Sequence, residues 1–192
     1  DEEDSRFAPD MLGSLFYVGG MTREEALDIK GVDGAKVGDE LDRIGYRGAS
    51  PCPGPSPRAF VELHIEQGPV LEVEGVTIGA VTGVQGISWT ELTITGESNH
   101  AGTTPMALRH DSGFAAAAIS TYVRDLSLEM GGSQVATVGR LELHPNLVNV
   151  VAGSAILTTD LRNTVEARLA EAEKKLADFL LELASNEGLK IE

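Results

Sequence analysis

From Ser88 onward, apolar and polar positions follow two clean periods. Ser88 to Thr95 alternates, with Thr90, Leu92 and Ile94 on one face, the period of two that a half-buried strand requires. After a loop over 96–109, Asp111 stands as N-cap of a helix reaching about Met130. Its expected apolar side is Phe114, Ala117, Ala118, Val123 and Leu126, and Gly131-Gly132 stop it. Val135 to Leu143 reads as a strand with Val135, Leu141 and Leu143 sharing a face. Ala155 to Arg162 reads as the next, with Ala155, Leu157 and Leu161 inward and Ile156, Thr158, Asp160 and Arg162 outward. Val165, Leu169, Ala172, Leu176, Phe179, Leu180 and Leu183 then recur at helical spacing. Asn163 is the expected cap, with Glu166 three residues on, and Gly188 follows the end. Leu189 to Glu192 opens a last, truncated strand. The order strand, helix, strand, strand, helix, strand predicts a ferredoxin-like βαββαβ domain: a four-stranded antiparallel sheet with helices on one face and the other face free.

Upstream the pattern is less regular. Thr22 to Lys30 predicts a short helix capped by Thr22, and Val37 to Ile44 a second, weaker one. Prolines at 51, 53, 55 and 57 make 45–58 a stiff loop carrying Cys52. Val61-Glu62-Leu63-His64-Ile65-Glu66-Gln67-Gly68 alternates again: three apolar residues point one way, and an imidazole between two carboxylates points the other. Val76 to Thr82 predicts a further strand, and a boundary falls near Gly83–Gly86. Residues 1–84 and 85–192 are therefore expected to belong to different domains.

Composition excludes more than it identifies. The net charge of −15 over 192 residues, with no cluster of Lys and Arg, makes nucleic acid and anionic membrane poor partners. No apolar run is long enough for a bilayer span, and no basic leader precedes an apolar stretch. A single cysteine excludes an internal disulfide and fits a reducing, cytoplasmic compartment. The absence of a starting Met suggests that Asp1 is not a natural N-terminus.

Several residues could carry chemistry. His64 is either a polar residue on a half-exposed edge strand or a metal ligand on a rigid strand, and one imidazole cannot hold a metal alone. Glu2 and Glu3 are adjacent, so one could ligate while its neighbour reaches a metal-bound water. His100 lies in the small-residue loop Ser98-Asn99-His100-Ala101-Gly102-Thr103-Thr104-Pro105. Asn149 sits in an apolar strand, Val148-Asn149-Val150-Val151, where an amide must find partners or serve as a ligand group. Arg162, beside Asp160, is either half of a surface ion pair or a clamp for a substrate carboxylate. His110 and His144 read as surface residues.

Five stretches together resemble the N-carbamoyl-L-amino acid hydrolase, allantoate amidohydrolase and β-ureidopropionase group of the aminoacylase/carboxypeptidase metallopeptidase superfamily. They are Asp1-Glu2-Glu3 with Ser5-Arg6-Phe7 and Met11-Leu12-Gly13-Ser14, the run ELHIEQGPVLE at 62–72, SNHAGTTPM at 98–106 with Arg109 and Asp111, Asn149-Val150-Val151, and Asp160-Leu161-Arg162. The resemblance implies that Glu2 is the general base, Glu3 and His64 are metal ligands, and Gln67 contacts substrate. It implies that His100 stabilises the oxyanion across a dimer, and that Asn149, also reaching across, and Arg162 hold the substrate carboxylate. Residues 1–84 would be part of an α/β zinc-peptidase-like catalytic domain, and 85–192 its inserted lid and dimerisation domain. Asp4 departs from the family, which usually has Gly there. The family's first histidine and bridging aspartate would lie before Asp1, and its last histidine after Glu192.

The resemblance thus implies an internal segment of a homodimeric, two-metal amidohydrolase cleaving a ureido or N-carbamoyl group of a small carboxylate substrate. Zn²⁺, Mn²⁺, Co²⁺ and Ni²⁺ all accept this ligand set. The segment alone is expected to be inactive and to hold two metals poorly. The alternatives are an aminoacylase or dipeptidase of the same superfamily, or a non-catalytic dimerisation module.

Overall fold

The structure, a computed structural model, describes residues 6–192. Contacts divide the chain into two compact units, Asp1–Pro69 and Val70–Glu192.

The first unit is built on three short helices, α1 (Leu12–Tyr17), α2 (Arg23–Asp28) and α3 (Val37–Arg43). Thr22 caps α2 as its sequence predicts, in a reciprocal box: its hydroxyl accepts the Glu25 N–H at 3.2 Å, and the Glu25 carboxylate accepts the Thr22 N–H at 2.8 Å. Phe7, Leu12 and Ala26 are buried. Arg6 ties the N-terminal stretch to the helices, binding Asp33 at 2.8 Å and Glu40 at 2.9 Å, and Arg43 shares Glu40 at 2.7 Å.

Two expected strands are not formed. Residues 61–68 have the alternation of a strand but no ladder partner among the described residues, and Val61, Leu63 and Ile65 are 93%, 90% and 77% exposed. Residues 76–82 are likewise extended without pairing, with Ile78 and Val81 exposed. Alternation describes how side chains divide between two faces, but a strand also needs a neighbour for its N–H and C=O groups. Between these stretches lies a single helical segment, α4 (Val70–Glu74).

The second unit contains the elements expected from Ser88 on. They are β1 (Gly86–Thr95), α5 (Ser112–Met130), β2 (Val135–His144), β3 (Ser154–Asn163), α6 (Glu166–Glu187) and β4 (Lys190–Ile191). All neighbours in the sheet are antiparallel, in the order β2-β3-β1-β4. Both helices cover one face. Ile94, Ile119, Val123, Leu157, Leu161, Leu169, Leu176 and Leu183 form the centre of one apolar core. A fully buried Ile or Leu of this kind contributes about 1.5–3 kcal/mol relative to an exposed one. Tyr122 of α5 stacks on Phe179 of α6 with ring centroids 3.9 Å apart, locking the helices together.

Three details correct the expected faces. On α5 the buried side is Ala115, Ala116, Ile119, Val123 and Leu126, whereas Phe114 and Ala117 are exposed. The long alanine run left the phase of the helix open, and Ile119 decides it. On β2, Val135 pairs with Arg162 on the outer face, while Leu141 and Leu143 pair with Leu157 and Ala155 on the inner one. A bulge between Val138 and Arg140 inserts Gly139 and reverses the alternation. At α6 the N-cap position is Val165, and Asn163 contributes from β3 by accepting the Val165 N–H at 2.9 Å. Gly188 closes α6 in a left-handed conformation, φ 62°.

Candidate active-site residues

Beyond β1 the chain continues as a narrow ladder against the segment entering β3. Gly96 N–H donates to Gly153 O at 2.8 Å, Val151 N–H to Asn99 O at 2.8 Å, and Ala101 N–H to Asn149 O at 3.0 Å, with His100 bridged to Val150. Glu97 N–H donates to His110 O at 2.9 Å. Gly96 is required here, since a Cβ would lie 2.1 Å from that same backbone oxygen.

The ladder holds His100 at an exposed loop tip. The Gly102 N–H donates to His100 Nδ1 at 3.1 Å. A nitrogen that accepts a hydrogen bond is unprotonated, so the neutral ring carries its proton on Nε2. His100 is therefore a donor at its outer nitrogen. Arg109 pins the same loop: Nη2 binds Ala101 O at 2.7 Å and Thr104 O at 2.9 Å, and Nε binds Thr104 O at 3.1 Å. Only carbonyls partner this guanidinium among the described residues, so its charge serves the shape of the loop.

Asn149 is exposed and lies in a turn before β3 rather than in a buried apolar strand. Its backbone carbonyl makes the bridge to the His100 loop, leaving the side chain on the surface. His110, expected only as a surface residue, is exposed but donates from Nδ1 to Glu187 O at 2.8 Å, satisfying a carbonyl in the last turn of α6.

Arg162 stands at the far end of β3 on the open face of the sheet. Eight residues separate it from Ser154, about 26 Å of extended chain. Within one chain, Arg162 and the His100 loop thus flank opposite ends of the sheet. Arg162 is half of an ion pair: Nε lies 3.0 Å from both Asp160 oxygens, and Nη2 lies 2.7 Å from Oδ2. Asp160 is held below the usual carboxylate range, first by the Arg162 hydrogen bonds and against partial desolvation, with a further contribution from the Trp89 indole N–H. The Trp89 ring lies 6.0 Å from the guanidinium carbon. Trp89 was legible as outward-facing from its alternation with Thr90, Leu92 and Ile94, and its place beside Arg162 comes only from strand register.

In the first unit, His64 is exposed and its Nδ1 lies 2.6 Å from Ile65 O. A carbonyl can only accept, so Nδ1 carries the proton and Nε2 holds the lone pair. That is the tautomer of a metal-ligating imidazole. Gln67 is exposed and occupies a left-handed turn, φ 55°, rather than the end of a strand. Glu2 and Glu3 lie outside the described residues. Among the described residues no three His, Cys, Asp or Glu side chains converge on a point that could hold a metal ion. His64 suits such an ion chemically, but the described residues do not complete a site.

No protein-family model matches the chain. It is 41% identical over 169 residues to an N-carbamoyl-L-amino-acid amidohydrolase of Rhizobium meliloti, covering 88% of this chain and 41% of the relative. It is 38% identical over 178 residues to the allantoate amidohydrolase of Escherichia coli, covering 92% and 43%. The crystal structure of a hydantoinase/carbamoylase family amidase from Burkholderia multivorans superposes with a TM-score of 0.79 at 44% identity, covering 100% of this chain and 47% of that one. The chain belongs to the hydantoinase/carbamoylase amidase family. It spans less than half the length of these members. Within the family frame, the two histidines present opposite nitrogens, one suited to ligation and one to donation, and no helix among the described residues is long and apolar enough to cross a membrane.

Proposed function

We propose that this chain is a segment of a metal-dependent amidohydrolase that cleaves the ureido or N-carbamoyl group of a small carboxylate substrate. The His100 loop carries the reading: a backbone N–H and Arg109 fix an exposed imidazole with its Nε2–H outward. A fixed donor of this kind is what a developing oxyanion needs. Glu3 and His64 would ligate, and Glu2 would be the base for a water activated by two divalent ions. Gln67, Asn149 and Arg162 would hold the substrate. Relatives named for N-carbamoyl amino acids and for allantoate support the substrate class.

Residues 1–84 would then be part of the catalytic domain, and 85–192 a ferredoxin-like lid through which two copies pair. Dimerisation is supported by the placement of the His100 loop and Arg162 at opposite ends of one sheet, which leaves a single small substrate to be met by groups from two chains. The exposed apolar alternation at 61–65 and 78–81 supports a catalytic domain whose sheet needs strands from elsewhere. Alone, the 192 residues would behave as the lid module and would not turn over substrate.

The test is hydrolysis by the full-length protein of N-carbamoyl amino acids, allantoate and N-acetyl amino acids, with and without chelator. Activity on ureido substrates, lost with chelator and in His100→Ala, is expected. A preference for N-acetyl substrates would point to an aminoacylase instead.

A further inference from the structure

The open sheet face places an indole, a carboxylate and a guanidinium in one row. Trp89 stands directly opposite Asp160 in the β1–β3 register, and Ile87 stands opposite Arg162, so Trp89 is the diagonal neighbour of Arg162. Asp160 occupies the Nε–Nη2 edge of the guanidinium through three contacts of 2.7–3.0 Å. Nη1 has no partner among the described residues. The Trp89 ring stands beside the Asp160 carboxylate across the strand pair and flanks the Arg162 carbon at 6.0 Å. Trp89 is nonetheless 72% exposed, far more than such a large apolar ring needs if its task is only packing. A groove of about 470 Å³ runs along it, lined also by Thr137, Gly139, Thr158 and Asp160, within the size range of small-molecule sites.

We propose that Trp89 is a positioning residue for Arg162: it braces the Asp160–Arg162 pair so that the guanidinium offers its Nη1–Nη2 end, and a substrate carboxylate is taken end-on. This rests on the reading of Arg162 as the carboxylate clamp. An arginine side chain is rich in rotamers, and a donor fixed before binding loses less entropy on meeting its acceptor. Asp160 fixes one edge of the fork, and Trp89 fixes Asp160 from the neighbouring strand. Side-on bidentate pairing, the usual mode for a free arginine, is closed to the substrate because Asp160 already fills that edge.

The experiment compares an N-carbamoyl amino acid with its carboxamide counterpart as substrates of the full-length protein, in a cycle of Trp89→Leu, Arg162→Met and the double variant. Arg162→Met is expected to raise KM for the acid about tenfold or more and to leave the carboxamide within about twofold. Trp89→Leu is expected to raise KM for the acid about fivefold with kcat within about twofold, and to have no such effect in the Arg162→Met background. An unchanged KM in Trp89→Leu, or the same increase in both backgrounds, overturns the positioning role and leaves the clamp intact. An unchanged KM in Arg162→Met overturns the clamp and with it this proposal. Should Trp89→Leu not fold, Trp89→Met removes the ring at similar volume and is read by the same criteria.

Discussion

His64 and His100 carry their ring protons on opposite nitrogens. His64 donates from Nδ1 to a carbonyl, and His100 accepts at Nδ1 from a backbone N–H. In both contacts the partner of Nδ1 is a backbone group. Long-range ¹⁵N–¹H correlation spectra of the imidazoles at neutral pH should therefore show an Nδ1–H tautomer for His64 and an Nε2–H tautomer for His100. The same tautomer for both would contradict the assignment.

Arg109 should matter to the His100 loop more than to the fold. Its three hydrogen bonds to Ala101 and Thr104 carbonyls have no counterpart in a methionine of similar length. Arg109→Met is expected to speed amide exchange at Ala101 and Thr104 by about tenfold or more while the core of α5 stays protected. In the full-length protein the variant should lower kcat by about tenfold and change KM by less than about threefold, the signature of a group that acts late in the reaction. Equal losses in amide protection across α5 would place Arg109 in the general stability of the unit instead.

Gly139 gives a test of register. A Cβ there would meet only Thr158 Oγ1 at 4.0 Å, so Gly139→Ala should change stability by no more than about 1 kcal/mol. Deleting Gly139 removes the bulge residue and leaves Arg140 opposite Thr158, Leu141 opposite Leu157 and Leu143 opposite Ala155, so both leucines keep the inner face. The deletion is therefore expected to cost no more than about 2 kcal/mol in chemical denaturation. A loss of about 4 kcal/mol or more would show that the pairing of β2 with β3 needs the bulge rather than merely accommodating it.

The second unit was legible because it encloses its own core. Its strands and helices pair with each other within 107 residues, so periodicity, caps and stops all describe contacts that exist in the chain. What escaped was local phase. Four consecutive alanines do not say which way α5 faces, and a bulge is invisible to an alternation rule until pairing reveals it. Residues 61–82 failed for the opposite reason. Their alternation is real, but no partner strand lies among the described residues, and propensity without pairing gives an extended, exposed chain. The candidate site divides the same way. His100 and Arg162 lie on the loop and the outer strand face that the sequence indicates, Asn149 lies in a turn instead of an apolar strand, and Arg109 and Trp89 acquire their tasks only through contacts made across the fold.

The first unit offers a pH test through Glu40. Hydrogen bonds from Arg43 and then Arg6 hold its carboxyl down at about 2, against 4.5 for an unperturbed glutamate, with desolvation opposing them. A depressed carboxylate pKa means that the folded state binds its proton less readily than the unfolded chain. The resulting stabilisation is complete above the unfolded value, near 4.5, and is lost as pH falls through the folded value near 2. Because the group is in contact with solvent, salt should weaken the effect. Carboxyl ¹³C titration of Glu40 should show a midpoint close to 2 in low salt. Arg43→Met should raise that midpoint more than any other single change, since Arg43 is the leading cause, and Arg6→Met should raise it less. A Glu40 midpoint near 4.5 in the intact chain would mean that the Arg6–Glu40–Arg43 bridge is not held in solution.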